Sequence, residues 1–117
     1  MNIKTASQEL GISADTIRYY ERIGLVPPIT RTSSGIRDFQ ETDLNALEFV
    51  KCFRAAGVSV ESLIDYMTLF PKGEATREAR LTILLEEREK MVERLEELQS
   101  ALKRLDKKIN YYKEGKY

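Results

Sequence analysis

From Arg77 to Tyr112 the chain runs for 36 residues without a proline or a glycine, and apolar side chains recur there at heptad spacing. Leu81, Leu95, Leu102 and Ile109 fall at position a, and Leu84, Met91, Leu98, Leu105 and Tyr112 at position d, with Arg88 the single polar exception. A rise of 1.5 Å per residue makes this a helix of roughly 54 Å. Such a rod cannot bury its seam against the short segments that precede it, and the chain holds no second helix of that length. The pattern therefore predicts an antiparallel coiled-coil homodimer, with these apolar residues as the dimerisation seam. The simpler alternative is one helix folded back on its own domain.

Composition narrows the chemistry. Lysine plus arginine and aspartate plus glutamate are equal at 19 each, so no global charge draws the chain to nucleic acid or membrane, and any such affinity must come from local clustering. One cysteine, Cys52, and no histidine rule out an internal disulfide, Ser/His and Cys/His nucleophile pairs, and Cys-rich or His-containing metal cages. No catalytic residue, metal ligand or cofactor is expected, and the chain is not read as an enzyme. With no secretory signal and no apolar run near twenty residues, the expected compartment is the cytoplasm, with no membrane partner.

The first 70 residues read as a head. Ala6 and Leu10 lie at i,i+4 on a short helix that Gly11 can stop, and Ser13 can cap a second helix that Gly24 can end. Two short helices about a glycine-centred turn match a helix-turn-helix. Pro27 and Pro28 then forbid a helix, and "TRTSSGIR" places Ser-Ser-Gly between residues of strand character, a candidate hairpin wing. Thr42 can cap a third helix closed at Gly57, and Ser59 a fourth. The expected organisation is a DNA-binding head over residues 1–70, a linker over 71–76, the dimerisation helix over 77–112 and a tail over 113–117.

Local charge singles out the second helix. Arg18 and Arg22 share one helical face, and Tyr19 and Tyr20 add hydroxyl donors and rings. Between residues 18 and 37 stand four arginines, Arg18, Arg22, Arg31 and Arg37, against Glu21 alone. These groups can meet phosphates or the acceptor edge of guanine. They equally describe an ordinary solvated helix with its tyrosine rings in the core.

"TIRYYERIGLVPP", the wing "RTSSGIR" and "DFQETDL" together resemble the DNA-binding half of the MerR family of bacterial transcription regulators. The resemblance implies a mainly α fold: a winged helix-turn-helix with a small β wing, two further helices and a long antiparallel coiled-coil helix. It implies that Thr16, Arg18, Tyr19, Tyr20 and Arg22 face the major groove or its flanking phosphates, and that Arg31, Ser34, Gly35 and Arg37 form the wing's contact with the DNA backbone. A tyrosine usual in the family between the wing glycine and arginine is replaced here by Ile36. The implied partners are an inverted repeat of double-stranded promoter DNA, a second copy of the chain, and RNA polymerase at the promoter, with activation by bending and untwisting an over-long spacer.

Metal sensors of the family carry cysteines at the start of the long helix and after it, where this chain has none. Only residues 113–117 follow the rod here, so an appended ligand-binding domain is not expected. "FVKCFRAAGVSVESLIDYMTLF", "GEATREAR" and "ILLEEREKMVERLEELQ" resemble the short NmlR/AdhR-like subgroup that responds to aldehydes and other electrophiles, and the resemblance implies that Cys52 is the sensing thiol of a stress response. The residues themselves give less help. Lys51 and Arg54 flank the thiol in sequence but not on the helix surface, whereas Glu48 at i−4 shares its face and works against the thiolate. Helical projection puts Cys52 at the shoulder of an apolar arc made by Ala46, Leu47, Phe49, Val50, Phe53 and Ala56, neither deep in the core nor fully exposed. The competing reading is a coiled-coil interaction protein with a purely structural Cys52.

Overall fold

The computed structural model describes residues 1–116, and its regular elements are helices. In chain order it forms α1 (Ile3–Leu10), α2 (Ala14–Arg22), α3 (Glu41–Ala55), α4 (Val60–Leu69), a 3-10 segment (Phe70–Thr76) and α5 (Arg77–Lys113). Tyr117, the end of the expected tail, lies outside the described residues. By its internal contacts the chain divides into two units, Met1–Ile83 and Leu84–Tyr117.

Each short helix of the first unit starts where a side chain can satisfy an orphan amide. The Thr5 amide donates to Asn2 Oδ1 at 2.9 Å, that of Thr16 to Ser13 Oγ at 3.1 Å, and that of Ser62 to Ser59 Oγ at 3.1 Å. Gly11 ends α1 in the left-handed conformation, φ 67°, which only glycine adopts without strain. Lys51 of α3 donates to the Leu10 carbonyl at 2.6 Å, placing a cation at the negative end of α1.

The start of α3 differs from the expectation. Thr42 is not its cap: the helix begins at Glu41, and the Gln40 amide donates to Asp43 Oδ2 at 2.8 Å. An acid three residues inside the helix reaches back to the first free amide, so the start moves upstream. The same carboxylate accepts from the Thr30 amide at 3.4 Å, which accounts for a charged residue only 8% exposed.

Ile17, Leu25, Val26, Leu47 and Val50 are the largest fully buried side chains, so the core lies where α2, the segment after it and α3 meet. Each such side chain contributes on the order of 1.5–3 kcal/mol. Phe49 of α3 stacks on Tyr66 of α4 with centroids 5.4 Å apart, which carries the apolar packing to the fourth helix. Beyond α4, Gly73 takes φ 67° and ψ −142°. Arg80 then donates to its carbonyl at 2.9 Å and lies over the Phe70 ring at 5.3 Å.

The wing is a tight turn and not a sheet. Among the described residues the only bridge is the antiparallel pairing of Arg31 with Arg37, and no strand forms. The Thr32 amide donates to the Ile36 carbonyl at 2.8 Å and the Asp38 amide to the Thr30 carbonyl at 2.7 Å. Two prolines upstream and the α3 cap downstream leave arms too short for a longer ladder. Gly35 holds φ 86° at the tip.

The second unit is helix alone. Leu95, Leu98, Leu102 and Leu105 are each more than half exposed along it, an apolar row with no partner surface inside this unit. Met91 is half-buried. No helix among the described residues is long and apolar enough to cross a membrane.

Candidate nucleic-acid interface

The helix-turn-helix presents one polar face of α2. Ile17 is fully buried and fixes the rotation of the helix, leaving Arg18, Tyr19 and Arg22 exposed and Thr16 and Tyr20 half-buried. Arg22 lies over the Tyr19 ring at 5.3 Å, an arrangement that stiffens both side chains without using the guanidinium edge. Arg18 meets Asp15 at 3.0 Å, but Asp15 is 97% exposed, so an anion of higher charge density displaces it at little cost. Thr16 accepts from Ser13 Oγ at 2.8 Å, so its hydroxyl is engaged in the cap.

In the wing, Ser34 and Gly35 are exposed at the tip and Arg31 and Arg37 stand opposite one another at its base. Like charges in cross-strand register repel, and one carboxylate lies between them. Glu21 Oε1 accepts from Arg37 Nε at 2.9 Å and lies 3.5 Å from the Arg31 guanidinium, while its Oε2 accepts from the Ile29 amide at 2.6 Å. The Glu21 side chain is only 12% exposed. Ile29 is the first residue after two prolines able to donate a backbone hydrogen bond, and it gives that bond to the same acid. Arg31 also donates to the Gly35 carbonyl at 2.9 Å. Arg37 is held through Nε, and its side chain is 25% exposed.

The two arginine pairs therefore differ: Arg18 and Arg22 project from a rigid helix, whereas Arg31 and Arg37 are gathered on a shared acid. The charge count pointed to the patch but not to Glu21, although its being the lone carboxylate among four arginines was the available signal.

Comparison with known proteins decides the family. Residues 1–69 match the model of the MerR HTH family regulatory proteins. The chain belongs to the MerR family. It is 52% identical over 93 residues to the HTH-type transcriptional regulator AdhR of Bacillus subtilis, covering 80% of this chain and 66% of the relative; the chain thus spans slightly less than two thirds of that relative's length. A crystal structure assigned to a MerR family transcriptional regulator from Listeria monocytogenes superposes with a TM-score of 0.93 at 53% identity, covering 96% of this chain and 85% of the other. HiNmlR, a MerR family regulator lacking the sensor domain and solved bound to promoter DNA, gives a TM-score of 0.89 at 29% identity, covering 98% and 91%. This MerR-family chain is thus similar to the AdhR/NmlR-like members of the helix-turn-helix regulators.

Cys52 is exposed on α3, which corrects the shoulder position read from the sequence. The buried stripe of α3 is Asp43, Leu47 and Val50, and at about 100° per residue Cys52 lies nearly opposite its centre. Phe49 and Phe53 are only half-buried and Ala56 is exposed, so the true stripe is narrower and rotated. The flanking cations are both engaged elsewhere: Lys51 on the Leu10 carbonyl and Arg54 on the Val58 carbonyl at 2.8 Å. Among the described residues no group of three or more His, Cys, Asp or Glu side chains is placed to hold a metal ion.

Proposed function

We propose that this regulator acts in the cytoplasm as a homodimer on an inverted-repeat promoter element, activates transcription by RNA polymerase through distortion of the promoter, and responds to aldehydes or other electrophiles through Cys52. The observation that carries the DNA reading is the exposed Arg18, Tyr19 and Arg22 face of α2, in a chain that superposes at a TM-score of 0.89 on a relative solved on promoter DNA. Thr16 and Tyr20 border that face, and Arg31, Ser34, Gly35 and Arg37 supply the wing's phosphate contacts. A pseudo-twofold operator follows from a twofold protein, with one recognition helix in each major-groove half-site.

Dimerisation through Leu81, Leu84, Met91, Leu95, Leu98, Leu102, Leu105 and Ile109 is supported by the exposed apolar row on α5. Bending or untwisting a site of 20–30 base pairs costs on the order of 1–6 kcal/mol, so a modest change in the joint between head and rod shifts the balance between relaxed and distorted promoter. The support for Cys52 is its exposure on α3, which leaves the sulfur open to a small electrophile.

The experiment is an in vitro transcription and footprinting series with the wild type, Cys52→Ser and Arg18→Ala/Arg37→Ala. Cys52→Ser is expected to bind the operator as the wild type does and to lose induction by formaldehyde or methylglyoxal. The double arginine variant is expected to lose the footprint. Induction retained in Cys52→Ser would remove the cysteine from the sensing role.

A further inference from the structure

Glu21 is used by neither the groove face nor the thiol, yet it is the most connected acid in the head. Its carboxylate is nearly buried and meets three cationic or polar donors drawn from positions 8, 10 and 16 residues downstream. We infer that Glu21 is a positioning residue for DNA recognition: it fixes the wing to the recognition helix and cancels one of the wing's two charges, and so sets selectivity for the operator over other DNA. This inference rests on the reading of α2 and the wing as the DNA-facing surfaces.

Two features of the geometry support it. Glu21 stands on α2 itself, one residue before Arg22 and three after Arg18, so the helix that carries the groove contacts also holds the wing. The distance between the two contacts is then set by one side chain and not by the loop of prolines between them. The second feature is electrostatic. Arg31 and Arg37 face each other across the single bridge and without Glu21 would bring two unshielded cations to the same phosphates; with it the base of the wing carries a net of one. A uniform phosphate attraction is sequence-independent, so an acid that limits it favours the register in which the α2 side chains also meet bases.

The test uses the full chain, the duplex that the wild type selects from a randomised inverted-repeat library, and a scrambled duplex of the same length, with affinities measured across a salt series. Glu21→Gln keeps an acceptor for the Ile29 amide but removes the charge. It is expected to tighten scrambled-duplex binding several-fold at low salt. The slope of log affinity against log salt should steepen by about 0.9, one further phosphate, and the selected-to-scrambled ratio should fall about tenfold. Glu21→Asp, which keeps the charge, is expected to retain the wild-type slope. Weaker binding of Glu21→Gln to both duplexes with ratio and slope unchanged would mean a merely structural acid and overturns the inference.

If Glu21→Gln loses its helical circular dichroism, the same change is made in the Arg31→Gln/Arg37→Gln background. Folding regained there supports the inference, because no arginine pair remains to be separated; folding still lost assigns Glu21 to the Ile29 loop and sinks it. A wild type that selects no duplex refutes the DNA-binding reading instead, and the coupling of Glu21 to Arg37 in a thermal double-mutant cycle then decides whether the wing clamp exists.

Discussion

The two units of this protein solve the problem of apolar surface in opposite ways. Met1–Ile83 closes on itself: Ile17, Leu25, Leu47 and Val50 are each completely buried within one chain. Leu84–Tyr117 leaves Leu98 68% exposed, with Leu95, Leu102 and Leu105 close behind. A core built from four short, individually capped helices needs no second molecule, whereas the apolar row of α5 finds no partner surface within its own unit. On the proposed dimer, the head draws its stability from long-range packing and the rod from association, so the two should respond to different substitutions.

The largest expected effect comes from Leu98→Asp, which places a charge in the middle of the exposed row. It should turn the dimer into a monomer in sedimentation velocity, lower operator affinity by more than about 100-fold through loss of the second half-site, and leave the head folded. A variant that stays dimeric would place the association surface elsewhere. Leu47→Ala attacks the other side of the comparison. Removing a fully buried leucine should cost about 2–5 kcal/mol, seen as faster amide exchange in α1 to α3 with α5 still protected. Equal loss of protection in both units would show that they are not independent.

Arg22→Ala sharpens the contrast between function and stability inside the head. The side chain is exposed and lies over the Tyr19 ring at 5.3 Å, so its removal should leave the melting temperature and the dimer unchanged. Operator affinity should fall by about 1–3 kcal/mol if the guanidinium reads a base, with discrimination relaxed at one position of the site. An equal loss on scrambled DNA would make Arg22 a phosphate contact.

What could be read from the sequence follows the range of the interactions. The long helix was legible because its heptad pattern is local, and so were the caps at Ser13 and Ser59, which act over three residues. The Arg18, Tyr19 and Arg22 face was legible because Ile17 alone sets the rotation of α2. Glu21 was not, since its partners Ile29, Arg31 and Arg37 reach it only after the chain has turned at Gly24 and passed two prolines. The exposure of Cys52 was hidden for a related reason: Asp43, a charged residue, takes a buried place on α3 because it satisfies the amides of Thr30 and Gln40. A count of apolar side chains therefore rotated the helix the wrong way. The wing was expected as a hairpin and forms one bridge, because two prolines upstream and the start of α3 at Glu41 downstream leave its arms short.

The smallest expected effect addresses the joint between the helix that carries Cys52 and the helix-turn-helix. Lys51 Nζ sits 2.6 Å from the Leu10 carbonyl, and a Cβ added at Gly11 would come within 3.5 Å of that nitrogen, so the ammonium is packed over the end of α1 and drawn away from its sequence neighbour. Lys51→Met keeps the length of the side chain but deletes the charge at the helix end, and should lower stability by roughly 1 kcal/mol in urea titrations. If Lys51 serves α1 alone, the alkylation rate of Cys52 by iodoacetamide should be the same in the variant as in the wild type. A rate several-fold slower in Lys51→Met would mean that the ammonium leaves α1 in solution to activate the thiol, and α3 would then be the one element in which the head's packing and its chemistry compete for the same side chain.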